Sequence, residues 1–142
     1  MRIIYRKTAY LFEVSSQILA ILARASKYQE KSLRYYRKYL GITFQIMDDL
    51  IDYIPNEKII KEKIGNDLRN GRLTLPLLHI MYYDNSHHTK LVKQILKKNN
   101  SKLIIKVINA INQCNSINYI KKFSFVKSKK SNIILKLFNA FT

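Results

Sequence analysis

The chain has 142 residues, 47% of them hydrophobic, which is enough for one packed domain and too few for several. Its 26 Lys and Arg stand against 9 Asp and Glu, a formal net charge of +17. A single cysteine, Cys114, excludes a disulfide framework or a zinc site within one chain, and no apolar run is long enough to span a bilayer.

Three Gly and two Pro in the whole chain, with apolar residues recurring at three and four positions and no alternation of period two, predict an all-α protein. A first helix is expected near 2–25. Arg2, Arg6 and Lys7 interrupt its apolar start, so no signal peptide is expected and a cytoplasmic location is. A second helix near 29–54 begins with alternating basic and aromatic residues, Arg34-Tyr35-Tyr36-Arg37-Lys38-Tyr39, of the kind that can stack on nucleic-acid bases. Pro55 ends that helix, and the stretch from Pro55 to Gly71 reads as irregular. Thr74 is a candidate N-cap with Pro76 in the first turn of a helix near 74–83. Further helices are expected near 88–98, 101–113 and 116–138. The adjacent His87 and His88 read as a polar turn.

The C-terminal half of the second helix holds the most informative run, Phe44-Gln45-Ile46-Met47-Asp48-Asp49-Leu50-Ile51-Asp52. From Gln45 the three carboxylates lie three, four and seven residues on, so the four polar side chains are expected along one helical face with apolar residues covering the rest. Like charges in an apolar setting stay protonated or take up a cation. The donors are all hard oxygens, which favours Mg²⁺, Ca²⁺ or Mn²⁺ over zinc. A solvated acidic face is the plain alternative.

These residues, with others around them, resemble the C-terminal half of the trans-polyprenyl diphosphate synthases, most nearly the bacterial octaprenyl diphosphate synthases. The matching blocks are Lys7-Thr8-Ala9 with Leu11-Phe12-Glu13, Tyr39-Leu40-Gly41, Phe44-Gln45, Asp48-Asp49-Leu50-Ile51-Asp52, Gly65-Asn66-Asp67-Leu68 and Gly71-Arg72-Leu73-Thr74-Leu75-Pro76-Leu77-Leu78-His79. Weaker similarity continues through Asn112-Gln113-Cys114-Asn115-Ser116. The resemblance implies an isoprenoid synthase helical bundle that elongates an allylic diphosphate with isopentenyl diphosphate to an octaprenyl-like product. It implies Mg²⁺, with Mn²⁺ as a substitute, on Asp48, Asp49 and Asp52. It also implies that Lys7 binds the allylic diphosphate, and that Thr8 and Gln45 place oxygens near the developing cation.

The chain departs from that pattern in three places. Nothing matches a first aspartate-rich motif or the isopentenyl diphosphate site, so the whole of 1–142 reads as the C-terminal portion of a synthase domain. The blocks fall within 7–79 and a divergent Lys- and Asn-rich tail covers 119–142. The family lysine after the aspartates falls at Glu62, between Lys61 and Lys63, either of which can take its diphosphate contact. Arg72, to which the resemblance also assigns a diphosphate contact, replaces a lysine ahead of Thr74, keeping the charge but not the geometry. An isolated chain of this kind is expected to be inactive, with apolar faces at Leu11 to Leu22 and Leu40 to Ile51 that favour a homo-oligomer or a complementing N-terminal half. Two other readings are a non-catalytic remnant or regulatory subunit, and a basic helical module for nucleic acid. The nucleic-acid reading ranks last, because the scattered Lys excess accompanies heavy use of Ile and Asn, as a biased coding sequence produces. The tail from Lys121 to Lys136 matches no family block and reads as a solvated amphipathic helix, with peripheral membrane contact as a further reading because the product implied by the resemblance is very apolar.

Overall fold

Ser26 sets the start of one of the two longest described helices through a reciprocal cap. Its Oγ accepts the Gln29 N–H (3.2 Å) while Gln29 Oε1 accepts the Ser26 N–H (2.9 Å), the capping-box pattern in which two orphan donors are satisfied at once. The computed structural model describes residues 1–54, 64–83, 87–97 and 101–140, and every regular element among them is helical. In order these are α1 (Arg2–Ile4), a π-helical segment (Tyr5–Ala9), α2 (Tyr10–Leu22), α3 (Lys27–Ile51), α4 (Asn66–Arg69), α5 (Leu75–Tyr83), α6 (His87–Lys97), α7 (Ser101–Gln113) and α8 (Ser116–Ala140). The expected all-α class holds.

Two expectations need correction. The first helix, expected to run regularly over 2–25, is widened by the π segment and stops at Leu22, where Arg24 takes a left-handed φ of 54°. The stretch up to Gly71 also contains one helical turn, α4, entered through Gly65 at φ 76°. Pro55, Lys61, Glu62 and Lys63 lie outside the described residues.

The chain divides into two compact units, Met1–Met47 with Lys122–Thr142, and Asp48–Lys121. In the first, the π segment and α2 run antiparallel to α3. Gly41 permits the contact, since a Cβ there would lie 2.8 Å from Ala9 Cα and 3.1 Å from Phe12 Cβ. Farther along the same seam the buried Glu13 accepts the Tyr5 hydroxyl at 2.6 Å and pairs with Arg34 Nε at 2.8 Å. Held by that carboxylate, the Tyr5 phenol is pushed up to about 12. Arg34 compensates a charge that would otherwise be buried alone. On the other side α8 is fastened to α3 by Ser131 Oγ, which donates to the Tyr36 carbonyl at 3.1 Å.

The second unit is built on a core of Tyr53, Leu68, Leu77, Ile80, Leu91, Val92, Ile95, Ile104, Val107, Ala110 and Ile111. Its helices α5, α6 and α7 supply most of those side chains, each from one apolar stripe at helical spacing. His79 on α5 sits between the rings of Tyr83 and Tyr119, with centroids at 4.6 and 4.3 Å. Its Nδ1 is 2.8 Å from Ser116 Oγ, and burial lowers its pKa below the ordinary 6.5.

Large apolar side chains stay exposed on α2 (Leu11, Ile18, Leu19, Leu22) and on α3 (Phe44, Ile51), while Ile42, Ile46 and Leu50 are buried. No helix among the described residues is long and apolar enough to cross a membrane.

Gly41→Ala is expected to destabilise the chain despite a helix-propensity gain of about 1 kcal/mol, because the clash is with backbone and overpacking costs about 1–3 kcal/mol; urea titration of both forms measures it. Because the folded state holds His79 below its unfolded pKa, unfolding takes up a proton as the pH falls through 6.5. Stability should therefore drop as pH falls through and below that value. His79→Phe should flatten this part of the stability-versus-pH curve, and an unchanged slope would remove His79 as its source.

Candidate functional site

Lys7 and Thr8 lie inside the π-helical segment. Such segments are uncommon and concentrate at functional positions, because the extra residue per turn re-aims side chains that a regular helix would stack. At its end the Tyr10 N–H reaches back to the Tyr5 carbonyl. Ala9 is fully buried against α3, and the Thr8 hydroxyl donates to Gln45 Oε1. Gln45 is itself buried, at 2% exposure. Two of the sequence-derived site residues are thus in direct contact between the π segment and α3. Lys7 is exposed on the same turn.

The carboxylates lie at the other end of α3's polar run, and they differ in exposure. Asp49 is buried at 4% exposure and Asp52 is half-buried, in line with the buried Gln45 at offsets of four and seven. Asp48 is exposed at the edge of this face, about 40° around the axis from Asp52 and about 40° from the exposed Phe44. At 100° per residue Gln45, Asp48, Asp49 and Asp52 fall within an arc of about 100°; within it Asp49 and Asp52 are covered and Asp48, at the edge, is open to solvent.

The two inward carboxylates have partners that spacing along α3 could not reveal. Asp52 accepts the Asn66 N–H at Oδ1 (3.0 Å) and the Asp67 N–H at Oδ2 (2.9 Å), and its main-chain carbonyl accepts the Gly65 N–H at 2.9 Å. Asp49 Oδ2 accepts the Leu75 N–H at 3.3 Å. These donors are the first amides of α4 and α5, which have no acceptor inside their own helices. A negative group at a helix N-terminus is also favoured by the helix dipole. Thr74, expected as a side-chain cap for α5, directs its hydroxyl to Tyr53 instead (2.8 Å), and its carbonyl accepts the Leu78 N–H.

Charge is concentrated here against the composition of the chain. Burial is the main cause raising the Asp52 carboxyl above its ordinary range; its two backbone donors oppose that rise, and the charges of Asp67 and Asp48 add to it. Arg72, expected to bind diphosphate, pairs with Asp67 through Nη1 at 3.0 Å and keeps a largely exposed side chain. Among the described residues no three acidic, His or Cys side chains are grouped to hold a metal ion. What the donor set fits is a hard cation bound through the exposed Asp48, with water completing its shell, the mode in which Mg²⁺ retains several waters. His79 and Cys114 lie apart from this cluster, on the core of the second unit and close to Ser116 and His88 respectively.

Reading the sequence missed the clasp on Asp52 and the Glu13 network. A signal for the first exists: Gly65-Asn66-Asp67, a residue able to take positive φ followed by a turn of helix whose amides need an outside acceptor. For Glu13, an isolated carboxylate inside an apolar helix was the only cue.

The profile described as Polyprenyl synthetase matches residues 1–114. Octaprenyl diphosphate synthase of Escherichia coli is 37% identical over 123 residues, which are 86% of this chain and 38% of that protein. The octaprenyl diphosphate synthase of Haemophilus influenzae is 41% identical over 111 residues, 78% of this chain and 34% of that one. Among solved structures, geranylgeranyl pyrophosphate synthase from Bacteroides thetaiotaomicron superposes with a TM-score of 0.85 at 25% identity, covering 96% of this chain and 45% of that one. The chain thus spans well under half the length of the relatives it matches. With the helical architecture, the paired Thr8 and Gln45, the aspartates at the end of α3 and a match over most of its residues, this chain belongs to the polyprenyl synthetase family.

Proposed function

We propose that the chain contributes to trans-prenyl transfer, in which an allylic diphosphate is elongated with isopentenyl diphosphate to a long-chain, octaprenyl-like diphosphate for isoprenoid or quinone synthesis. In that reaction the allylic C–O bond breaks and diphosphate leaves. The double bond of isopentenyl diphosphate then attacks the allylic carbon, and a proton is lost. The observation that carries the reading is the arrangement on α3, where Gln45, bonded to Thr8, lies one turn before the exposed Asp48.

Lys7 holds the diphosphate oxygens by charge-assisted hydrogen bonds, which strengthen as the leaving group gains charge. With its proton engaged by Gln45, the Thr8 oxygen has only lone pairs to offer a neighbouring cationic carbon. Asp48 would hold Mg²⁺, for which Mn²⁺ could substitute, and the ion would supply positive charge for the diphosphate leaving group. Asp49 and Asp52 act on that ligand indirectly, since their carboxylates fix the starts of α5 and α4 beside it. Arg72 reaches the diphosphate from its exposed position while Asp67 steadies its guanidinium. Lys61 and Lys63 are proposed as further diphosphate contacts in place of the family lysine at the Glu62 position.

The remainder of the family's length is supplied with this chain or by a complementing polypeptide, and self-association through the apolar faces of α2 and α3 is part of the same proposal. The test mixes this chain with the N-terminal portion of the Escherichia coli octaprenyl diphosphate synthase, farnesyl diphosphate, isopentenyl diphosphate and Mg²⁺. Chain-lengthened product that disappears with EDTA is expected. In that assay Asp48→Ala should lower the rate by about 10²-fold or more, the loss typical of removing one group that stabilises transition-state charge; a variant as active as the parent would refute the assignment.

The aspartates should also separate in a metal-free stability measurement. Asp52→Ala is expected to cost about 0.5–2 kcal/mol, the range for removing a helix cap. Asp48→Asn should change stability by less than about 0.5 kcal/mol, as exposed substitutions do. Equal losses would show that the three carboxylates act as one set.

A further inference from the structure

Helix α8 is arranged contrary to ordinary amphipathic practice over Lys122 to Lys136. Its buried positions include Ser124 and Ser131, at 4% and 2% exposure. Phe125, Val126 and Ile133 are instead 60%, 52% and 56% exposed. At 100° per residue, those three side chains and Lys122, Lys129, Lys130 and Lys136 fall within an arc of about 140° opposite the serines. All of these lysines are exposed, and Lys129 Nζ lies 4.7 Å from the centre of the Phe125 ring. The helix contains no Asp or Glu.

We infer that this face of α8 lies on the surface of an anionic lipid bilayer. A helix seated in the headgroup region buries a few large apolar side chains to a shallow depth, while flanking lysines reach the phosphates. Each lysine brought near an anionic surface strengthens binding about fivefold. A protein partner fits less well, because lysine is depleted from the buried centres of protein interfaces. Nucleic acid fits less well because Val126 and Ile133 offer no ring for stacking and the helix carries no arginine. The helix is not apolar enough to cross the bilayer, so the contact is peripheral. The inference rests on α8 alone and stands apart from the prenyl-transfer reading.

The chain has no tryptophan, so Phe125→Trp places a single fluorescent reporter at the centre of the face. Its emission should shift to shorter wavelength with vesicles of mixed phosphatidylglycerol and phosphatidylcholine, and stay unchanged with phosphatidylcholine alone. Flotation of the unsubstituted chain with the same vesicles gives a readout independent of the substitution. Changing Lys129 and Lys130 to Gln together should weaken partitioning about 25-fold, by two factors of about five. Absence of both shift and flotation would overturn the inference. So would equal binding to duplex DNA, or a lipid-free shift that grows with protein concentration, which would mean that a second copy covers the face.

Discussion

The second unit depends on two carboxylates spent on backbone amides. Asp52 receives the N–H groups of Asn66 and Asp67, and Asp49 receives that of Leu75. The helices they start are short, four residues in α4 and nine in α5. Helices of this length do not persist without tertiary support, because the cost of nucleation is spread over few bonds. Capping from the end of α3 lets them begin at fixed points. Leu68, Leu77 and Ile80 then enter the core at fixed points as well. Helix-start amides need an acceptor wherever they are shielded from water, so the acidity of the α3 terminus serves the fold before it serves any ligand.

That double duty bears on how a metal-dependent site can be built in a chain of this kind. Three carboxylates at one helix end look, by spacing, like three ligands. Two of them, Asp49 and Asp52, also accept helix-start amides, while Asp48 beside them is exposed. A cation held by one carboxylate and water is bound weakly without a polyanionic substrate, which brings its own oxygens. The π segment at Lys7 and Thr8 has a comparable logic: widening the turn lets Ala9 close on Gly41 while Thr8 reaches Gln45.

Much of this was legible in the residues. The 3.6-residue periodicity located α7 over 101–113 and placed α5, α6 and α8 within a residue or two of their ends, because each presents a stripe to a core and is bounded by polar or turn-forming residues. The Ser26 and Gln29 capping pair was also present, three residues apart, and marks the start of α3 two residues ahead of the expected position. The π turn was not legible, since it answers to packing between Ala9 and Gly41 and leaves no periodic trace. Nor was the difference in exposure among the aspartates: spacing within α3 says which side chains neighbour one another and is silent about α4 and α5, whose first amides bond to Asp52 and Asp49. The burial of Ser124 and Ser131 in the tail was not legible either, because short polar side chains carry no periodic apolar signal. Family membership was carried by the order of the blocks between Lys7 and His79, a signal independent of any single contact.

Native-state hydrogen exchange at the amides of Asn66, Asp67 and Leu75, read residue by residue in the metal-free chain, tests the clasp most directly. The account predicts protection at all three, with Asp52→Ala exposing Asn66 and Asp67 while Gly65, whose acceptor is the Asp52 main-chain carbonyl, stays protected. Exchange of Asn66 and Asp67 at the rate of an unstructured peptide in the unsubstituted chain would contradict it.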